Sequence, residues 1–180
     1  MLRRVGLLAV LAVAGAWLAD RLLAGRRGGT PIPPLEMLAV VDAPIEAVWT
    51  VIADVPRQLE WMHDMKSVRI ETRGPIGIGT RAEATVRILG IPVTDPVEIV
   101  EFDPPSRYAI RHLGLFAGDG LFTLEPGADG TTTVVRWTER LEPPVLPNLG
   151  AVVQAPILRA IFQADLGRMK RLVETGAAAG

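Results

Sequence analysis

The chain has 180 residues, of which 49 % are hydrophobic and 22 % charged, and its net charge is −1 at pH 7. This composition is typical of one folded globular domain rather than a disordered chain. The balanced charge argues against a nucleic-acid-binding protein, which normally has a basic excess. Cysteine is absent and His63 and His112 are the two histidines, which excludes disulfides, thiolate metal sites and histidine-rich metal sites. The sequence therefore predicts no metal site and no cofactor.

The first 27 residues differ in charge from the rest, because they carry +4 and the remainder carries −5. Residues 5–19 are uncharged and largely apolar, and 22–24 extend this character. As a helix, 5–24 would be about 30 Å long, which matches the hydrocarbon core of a bilayer. Asp20 and Arg21 lie near the helix end, where charges can reach the headgroups. We predict a single-pass transmembrane anchor at residues 1–27, on an undetermined side of the membrane; a cleaved signal peptide and a soluble helix are the alternatives.

A linker rich in glycine and proline is predicted at residues 28–34, before a first strand over 35–41. Two short helices follow, because Asp-Ala-Pro at 42–44 and Asp-Val-Pro at 54–56 are both typical helix starts. The first helix has its apolar residues at helical spacing and contains Trp49, and the second contains Trp61.

From Lys66 to about Leu141 apolar and polar residues alternate, which predicts strands. In residues 80–88, for example, alanine, valine and isoleucine alternate with arginine, glutamate and threonine. Glycine and proline turns recur at hairpin intervals and divide the region into six strands. The sheet is therefore predicted to be antiparallel with one solvent-exposed face.

A long C-terminal helix is predicted from about Leu149, with Pro156 as a kink or as its true start. Its apolar stripe consists of Leu158, Phe162, Leu166, Met169 and Val173. The last residues, 176–180, are predicted to fray. One sheet with one apolar face needs one cover, and this helix is large enough to provide it. The predicted fold class is α+β, with a curved antiparallel sheet around a long helix and a small-molecule cavity between them.

Several segments resemble the helix-grip superfamily of START lipid-transfer domains, Bet v 1-like proteins and polyketide cyclase/dehydrase proteins, also named SRPBCC. The resemblance rests on the following segments: Val41–Trp49, Asp54, Trp61, Gly77–Thr80, Val100–Tyr108, Asp129–Thr132 and Leu166–Glu174. It covers residues 35–175, which we predict to form the helix-grip domain. The resemblance implies an apolar ligand cavity but no particular activity.

Strand parity predicts which side chains face that cavity. The arginines at 107, 111, 136 and 140 should face solvent, so their alternate neighbours should point inward. The resemblance adds Trp61 at the cavity mouth, and the C-terminal helix contributes Phe162. The predicted cavity residues are Trp61, Tyr108, Ile110, His112, Phe122, Val135, Trp137, Glu139 and Phe162.

Catalytic motifs are weak in this sequence. Neither serine lies in a nucleophile elbow, and Gly77-Ile-Gly79 lacks the lysine and helix of a phosphate-binding loop. His112, beside Tyr108 or Glu139, is the one weak candidate for general acid–base catalysis.

Three functional hypotheses follow. We favour a membrane-anchored, monomeric module that binds or transfers a lipid, quinone or polyketide-like molecule, and we favour binding over catalysis. A polyketide cyclase/dehydratase-like enzyme is the alternative, since a cavity can act largely by folding its substrate. The third is an interaction domain with a vestigial cavity.

Overall fold

A computed structural model of the protein describes residues 2–88 and 91–177. Helix α1 (Leu2–Arg27) is followed by β1 (Leu35–Val41), α2 (Ile45–Ile52) and α3 (Gln58–Trp61). The remaining elements are β2 (Met65–Ile70), β3 (Arg81–Ile88), β4 (Ile91–Asp103), β5 (Arg107–His112), β6 (Ala117–Pro126), β7 (Thr133–Glu142) and α4 (Pro147–Ala177).

The seven strands form one antiparallel sheet in the order β1-β7-β6-β5-β4-β3-β2. Each strand from β2 to β6 pairs with the next along the chain, and β1 pairs with the outer edge of β7. The predicted α+β class, with an antiparallel sheet and a long C-terminal helix, is confirmed.

Helix α4 packs its apolar stripe against the sheet. Leu166, Met169 and Val173 are buried there, together with apolar residues of β1, β7 and α2. The same helix covers the free edge of β1, since the Gln163 amide donates to the Leu38 carbonyl (3.0 Å) and accepts from the Leu38 N–H (3.3 Å). These bonds satisfy backbone groups that an uncovered edge strand leaves unpaired.

The start of α4 differs from the prediction based on Pro156. That residue lies inside a helix that already begins at Pro147, so it is not the true start. The Asp20 carboxylate of α1 accepts the N–H groups of Asn148 (2.8 Å) and Leu149 (2.9 Å), and thereby caps the helix. Asp20 is buried, and these two bonds hold this part of α1 against the start of α4.

One helix within the described residues is long and apolar enough to cross a membrane by length and composition, and it is Pro147–Gly176 of α4. The predicted N-terminal transmembrane helix is not supported by this criterion. Residues 10–27 contain Asp20, Arg21, Arg26 and Arg27, and charged groups are unfavourable in a hydrocarbon core.

Candidate ligand cavity

A cavity of about 270 Å³ lies between the sheet and α4. Its walls are largely apolar, with Val97 and Ile99 on β4 and Ile157 and Leu158 on α4 among them. On β3 the inward positions include the buried alanines 82 and 84. Their small side chains leave space that larger residues would fill, and an apolar concave site of this size is suited to a small molecule.

Aromatic rings form one side of the cavity. Trp137 lines it, with its ring centroid 4.8 Å from Phe122 and 4.8 Å from Phe162. Trp61 packs edge-on against both Trp137 (6.2 Å) and Phe122 (6.1 Å). These contacts support the Trp137 ring from behind and hold it in place.

A cluster of three ionisable side chains lies at one end of the cavity: Asp95, His112 and Glu139. The Nδ1 atom of His112 lies 2.5 Å from Asp95 Oδ2, and its Nε2 atom lies 2.7 Å from Glu139 Oε1. The other oxygen of Glu139 accepts the indole N–H of Trp137 at 2.8 Å. Both ring nitrogens of His112 are therefore engaged by carboxylates of the protein.

The sheet brings this cluster together across strand β6. His112 lies on β5 and Glu139 on β7, with β6 between them. Glycines occupy the β6 positions opposite them, since Gly118 pairs with His112 and Gly120 pairs with Glu139. A Cβ atom at Gly120 would lie 2.5 Å from Glu139 Oε2, so this glycine lets the carboxylate reach across the strand to the imidazole.

The charges in this cluster depend on one another. Burial would lower the pKa of His112, but the hydrogen bonds that it donates to Asp95 and Glu139 outweigh this effect and raise the pKa to about 10. Burial raises the pKa of Glu139, and the bond to His112 offsets part of that increase. His112 is therefore an imidazolium at neutral pH that donates to a carboxylate on each side.

Further polar groups line the opposite end of the cavity. The buried Gln58 amide donates to the Ile52 carbonyl (2.9 Å) and lies 3.5 Å from the Tyr108 hydroxyl. Burial raises the pKa of Tyr108 to about 12, so its phenol is neutral. Asp165 of α4 accepts the N–H of His63 at 2.9 Å, which ties the chain after α3 to the long helix.

The predicted cavity residues fall into two groups. Six of them line the cavity: Tyr108, Ile110, His112, Trp137, Glu139 and Phe162. Trp61, Phe122 and Val135 are buried in the core behind it. Trp61, expected at the mouth, has no exposed surface, because α3 packs its indole inward against Phe122 and Trp137.

The sequence reading missed Asp95. It lies on β4 with the inward residues Val93, Val97 and Ile99, and its spacing from them is even, which places an acid on the apolar face of the strand. The alternation of residues along β4 was therefore a signal in the sequence that could have identified Asp95 as a cavity residue. Its Oδ1 atom is buried without a hydrogen-bond partner among the described residues.

A smaller cavity of about 120 Å³ lies where the end of α1 meets α4, and Arg27, Pro33 and Ala151 line part of it. It shares Glu139, Leu141 and Gln154 with the larger cavity. The ion cluster therefore lies close to the junction with the N-terminal helix.

Comparison with solved structures shows the same fold in proteins of low identity. The Thermus thermophilus protein TTHA0849 aligns with a TM-score of 0.65 at 20 % identity, over 80 % of this chain and 99 % of that one. The Zhui aromatase/cyclase from Streptomyces sp. R1128 gives 0.64 at 20 % identity, over 82 % and 97 %. DR_A0006 from Deinococcus radiodurans gives 0.58 at 22 % identity, over 79 % and 98 %.

Curated proteins give no significant match to this sequence. The family described as polyketide cyclase / dehydrase and lipid transport, however, matches residues 35–174. That segment comprises every strand, both short helices and nearly all of α4. The chain belongs to the polyketide cyclase / dehydrase and lipid transport family.

Proposed function

We propose that this protein binds an apolar small molecule, such as a lipid, quinone or polyketide-like compound, in the larger cavity and holds or transfers it beside a membrane. The family and the cavity support binding. The observation that carries the choice of a binding module over an enzyme is the pairing of both His112 ring nitrogens with carboxylates.

A general base needs a lone pair that faces the substrate proton. His112 has none to offer while Nδ1 and Nε2 both donate to Asp95 and Glu139. Its pKa of about 10 also keeps it protonated at neutral pH. The cluster is therefore better suited to shaping and polarising one end of the cavity than to accepting a proton.

The N-terminal helix supports the proposed placement beside a membrane. Large apolar side chains along it are exposed: Leu8, Val10, Leu11, Val13, Trp17, Leu18 and Leu22. Apolar exposure on this scale is typical of a surface that another apolar phase covers. Because Asp20 caps α4, a bilayer around α1 would lie close to the start of α4 and to the cavity beside it.

The alternative is a cyclase or dehydratase that uses the same cavity. Its support is an acid–base cluster next to the cavity and a fold shared with the Zhui aromatase/cyclase. An enzyme should lose turnover when His112 is replaced by alanine yet still bind its substrate. A binding module should have no turnover to lose.

Native mass spectrometry of the full chain in mild detergent, with lipid extraction, tests the binding proposal. The wild type should release a stoichiometric apolar molecule. Ala84→Phe, which fills the cavity from β3, should lose it. Thr85→Phe is the matched control, since Thr85 does not line the cavity, and it should retain the molecule. Equal occupancy in both variants, or none in the wild type, would contradict the proposal.

A further inference from the structure

The ionisable groups around the larger cavity predict the charge of its ligand, given the proposed binding function. Six such side chains, besides Tyr108, line the cavity: the acids Asp64, Asp95, Glu139 and Asp165, and the bases Arg87 and His112. Acids therefore exceed bases by two in the cavity wall, and Arg168, which pairs with Asp165 from outside that wall, reduces the excess to one.

The two bases offer little to an anionic ligand. His112 already donates from both ring nitrogens to Asp95 and Glu139. Arg87 is an exposed residue at the end of β3, where water solvates its guanidinium. Arg27 lines the smaller cavity and not this one. A carboxylate placed among the inner walls would thus meet like charges, while the cations His112 and Arg168 already pair with carboxylates of the protein.

The carboxylates of the cavity wall can instead accept a hydrogen bond from a ligand that carries a donor. Each carboxylate oxygen can accept more than one hydrogen bond. Glu139 receives one donor on each oxygen, and Asp95 receives His112 on Oδ2 alone among the described residues. The free oxygen of Asp95, Oδ1, is buried and lies against Gly114, where a Cβ atom would collide with it, so it does not face the ligand. A ligand hydroxyl at this end of the cavity can donate to a second lone pair on Asp95 Oδ2 or on a Glu139 oxygen, while the apolar body of the ligand contacts Trp137 and Phe162.

We propose that the cavity takes an uncharged apolar ligand with a hydroxyl end, an alcohol or phenol, and rejects carboxylates of the same shape. The inference rests on the proposed binding function. The proposed selectivity favours neutral ligands over fatty acids and other anionic amphiphiles. An apolar cavity without these acids would bind both classes equally well.

Three aromatic probes of nearly the same size test the inference: naphthalene, 2-naphthol and 2-naphthoate. Each is measured at pH 7.4 by equilibrium dialysis against the full chain in phosphatidylcholine nanodiscs. Nanodiscs without protein give the lipid contribution, and the Ala84→Phe variant gives binding outside the cavity. We expect 2-naphthol to bind at least about ten-fold more tightly than 2-naphthoate, and more tightly than naphthalene.

Two variants test the origin of the discrimination. Asp95→Asn and Asp64→Asn each remove a negative charge from the cavity wall, and each should reduce the ratio of the two dissociation constants by about three-fold or more. The second lies away from the His112 cluster and keeps the test valid if the first does not fold. Glu125→Gln, an exposed residue of β6, is the matched control and should leave the ratio unchanged.

The outcomes are distinguishable. If 2-naphthoate binds as tightly as 2-naphthol, the inference is overturned while the binding function stands. If naphthalene binds as tightly as 2-naphthol, the inferred preference for a hydroxyl is overturned. If none of the probes binds beyond the Ala84→Phe level, both the binding function and this inference fail.

Discussion

Replacing His112 by glutamine should destabilise the protein, because it removes the cation between two carboxylates. Asp95 and Glu139 would then lie close to one another in the cavity wall with their charges uncompensated. Breaking a buried ion pair by removing one partner costs about 3–5 kcal/mol. Both N–H donors of glutamine are on one nitrogen, so its amide can bond to one carboxylate but cannot bridge the two as the imidazolium does, and we expect a loss near the lower end of that range.

The pH dependence of stability gives a second, independent value for the free energy that protonated His112 contributes to folding. A pKa raised from 6.5 to about 10 corresponds to at most about 5 kcal/mol of stability, at 1.36 kcal/mol per unit. Because the folded-state pKa is the higher one, this contribution is complete below pH 6.5 and is lost as the pH rises through about 10. The raised pKa of Glu139 acts in the same direction, since its folded state also holds the proton more tightly.

Urea denaturation of the wild type and His112→Gln, followed by far-ultraviolet circular dichroism at pH 6, 7.5, 9 and 10, measures both effects. The difference in free energy of unfolding should be largest at pH 6 and should shrink towards pH 10. His63→Gln is the matched control, since His63 is exposed and lies outside the cluster. A difference under about 1 kcal/mol at pH 6, or one that does not change with pH, would refute the ion-cluster reasoning.

Three further outcomes are expected. Asp20→Ala removes the cap of α4 and should lower the free energy of unfolding, with faster hydrogen exchange at the Asn148 amide. Unchanged exchange at that amide would contradict the cap. Gly120→Ala places a Cβ atom 2.5 Å from the Glu139 carboxylate and should lower the pKa of His112, measured by NMR. Gly77→Ala is the control, because Gly77 has open space around it, and it should leave that pKa unchanged. Met169 is fully buried on the inner face of α4, so Met169→Ala should lower the free energy of unfolding by about 2–5 kcal/mol in urea denaturation. A loss below about 1 kcal/mol would mean that α4 packs less closely than described.

The sequence predicted the sheet and the long helix because both have strong periodic signals. Alternation from residue 66 onward specified strands, and parity within β5 and β7 assigned inward positions to Tyr108, Trp137 and Glu139. The structure places all three along the cavity. Parity succeeds here because one face of the sheet is apolar and the arginines of the same strands identify the other.

Tertiary packing decided the features that sequence reasoning missed. Asp95 lies between proline-containing steps of β4 and has no partner nearby in sequence, so its bond to His112 depends on strand pairing. The burial of Trp61 depends on how the four-residue helix α3 rests on the sheet. The contact from Asp20 to α4 joins residues 128 positions apart, and no local pattern predicts such a cap.

The ion cluster is difficult to explain by stability alone. Apolar residues of similar volume usually stabilise a core as well as a buried ion pair does, or better. In this cavity wall an imidazolium instead lies between two carboxylates, and one Asp95 oxygen has no partner among the described residues. Position 120 is a glycine, which leaves room for the Glu139 carboxylate. Alanines on β3 leave the adjoining space unfilled. A cavity that keeps both its volume and a polar end at the expense of packing is better suited to recognising a ligand than to serving as a core.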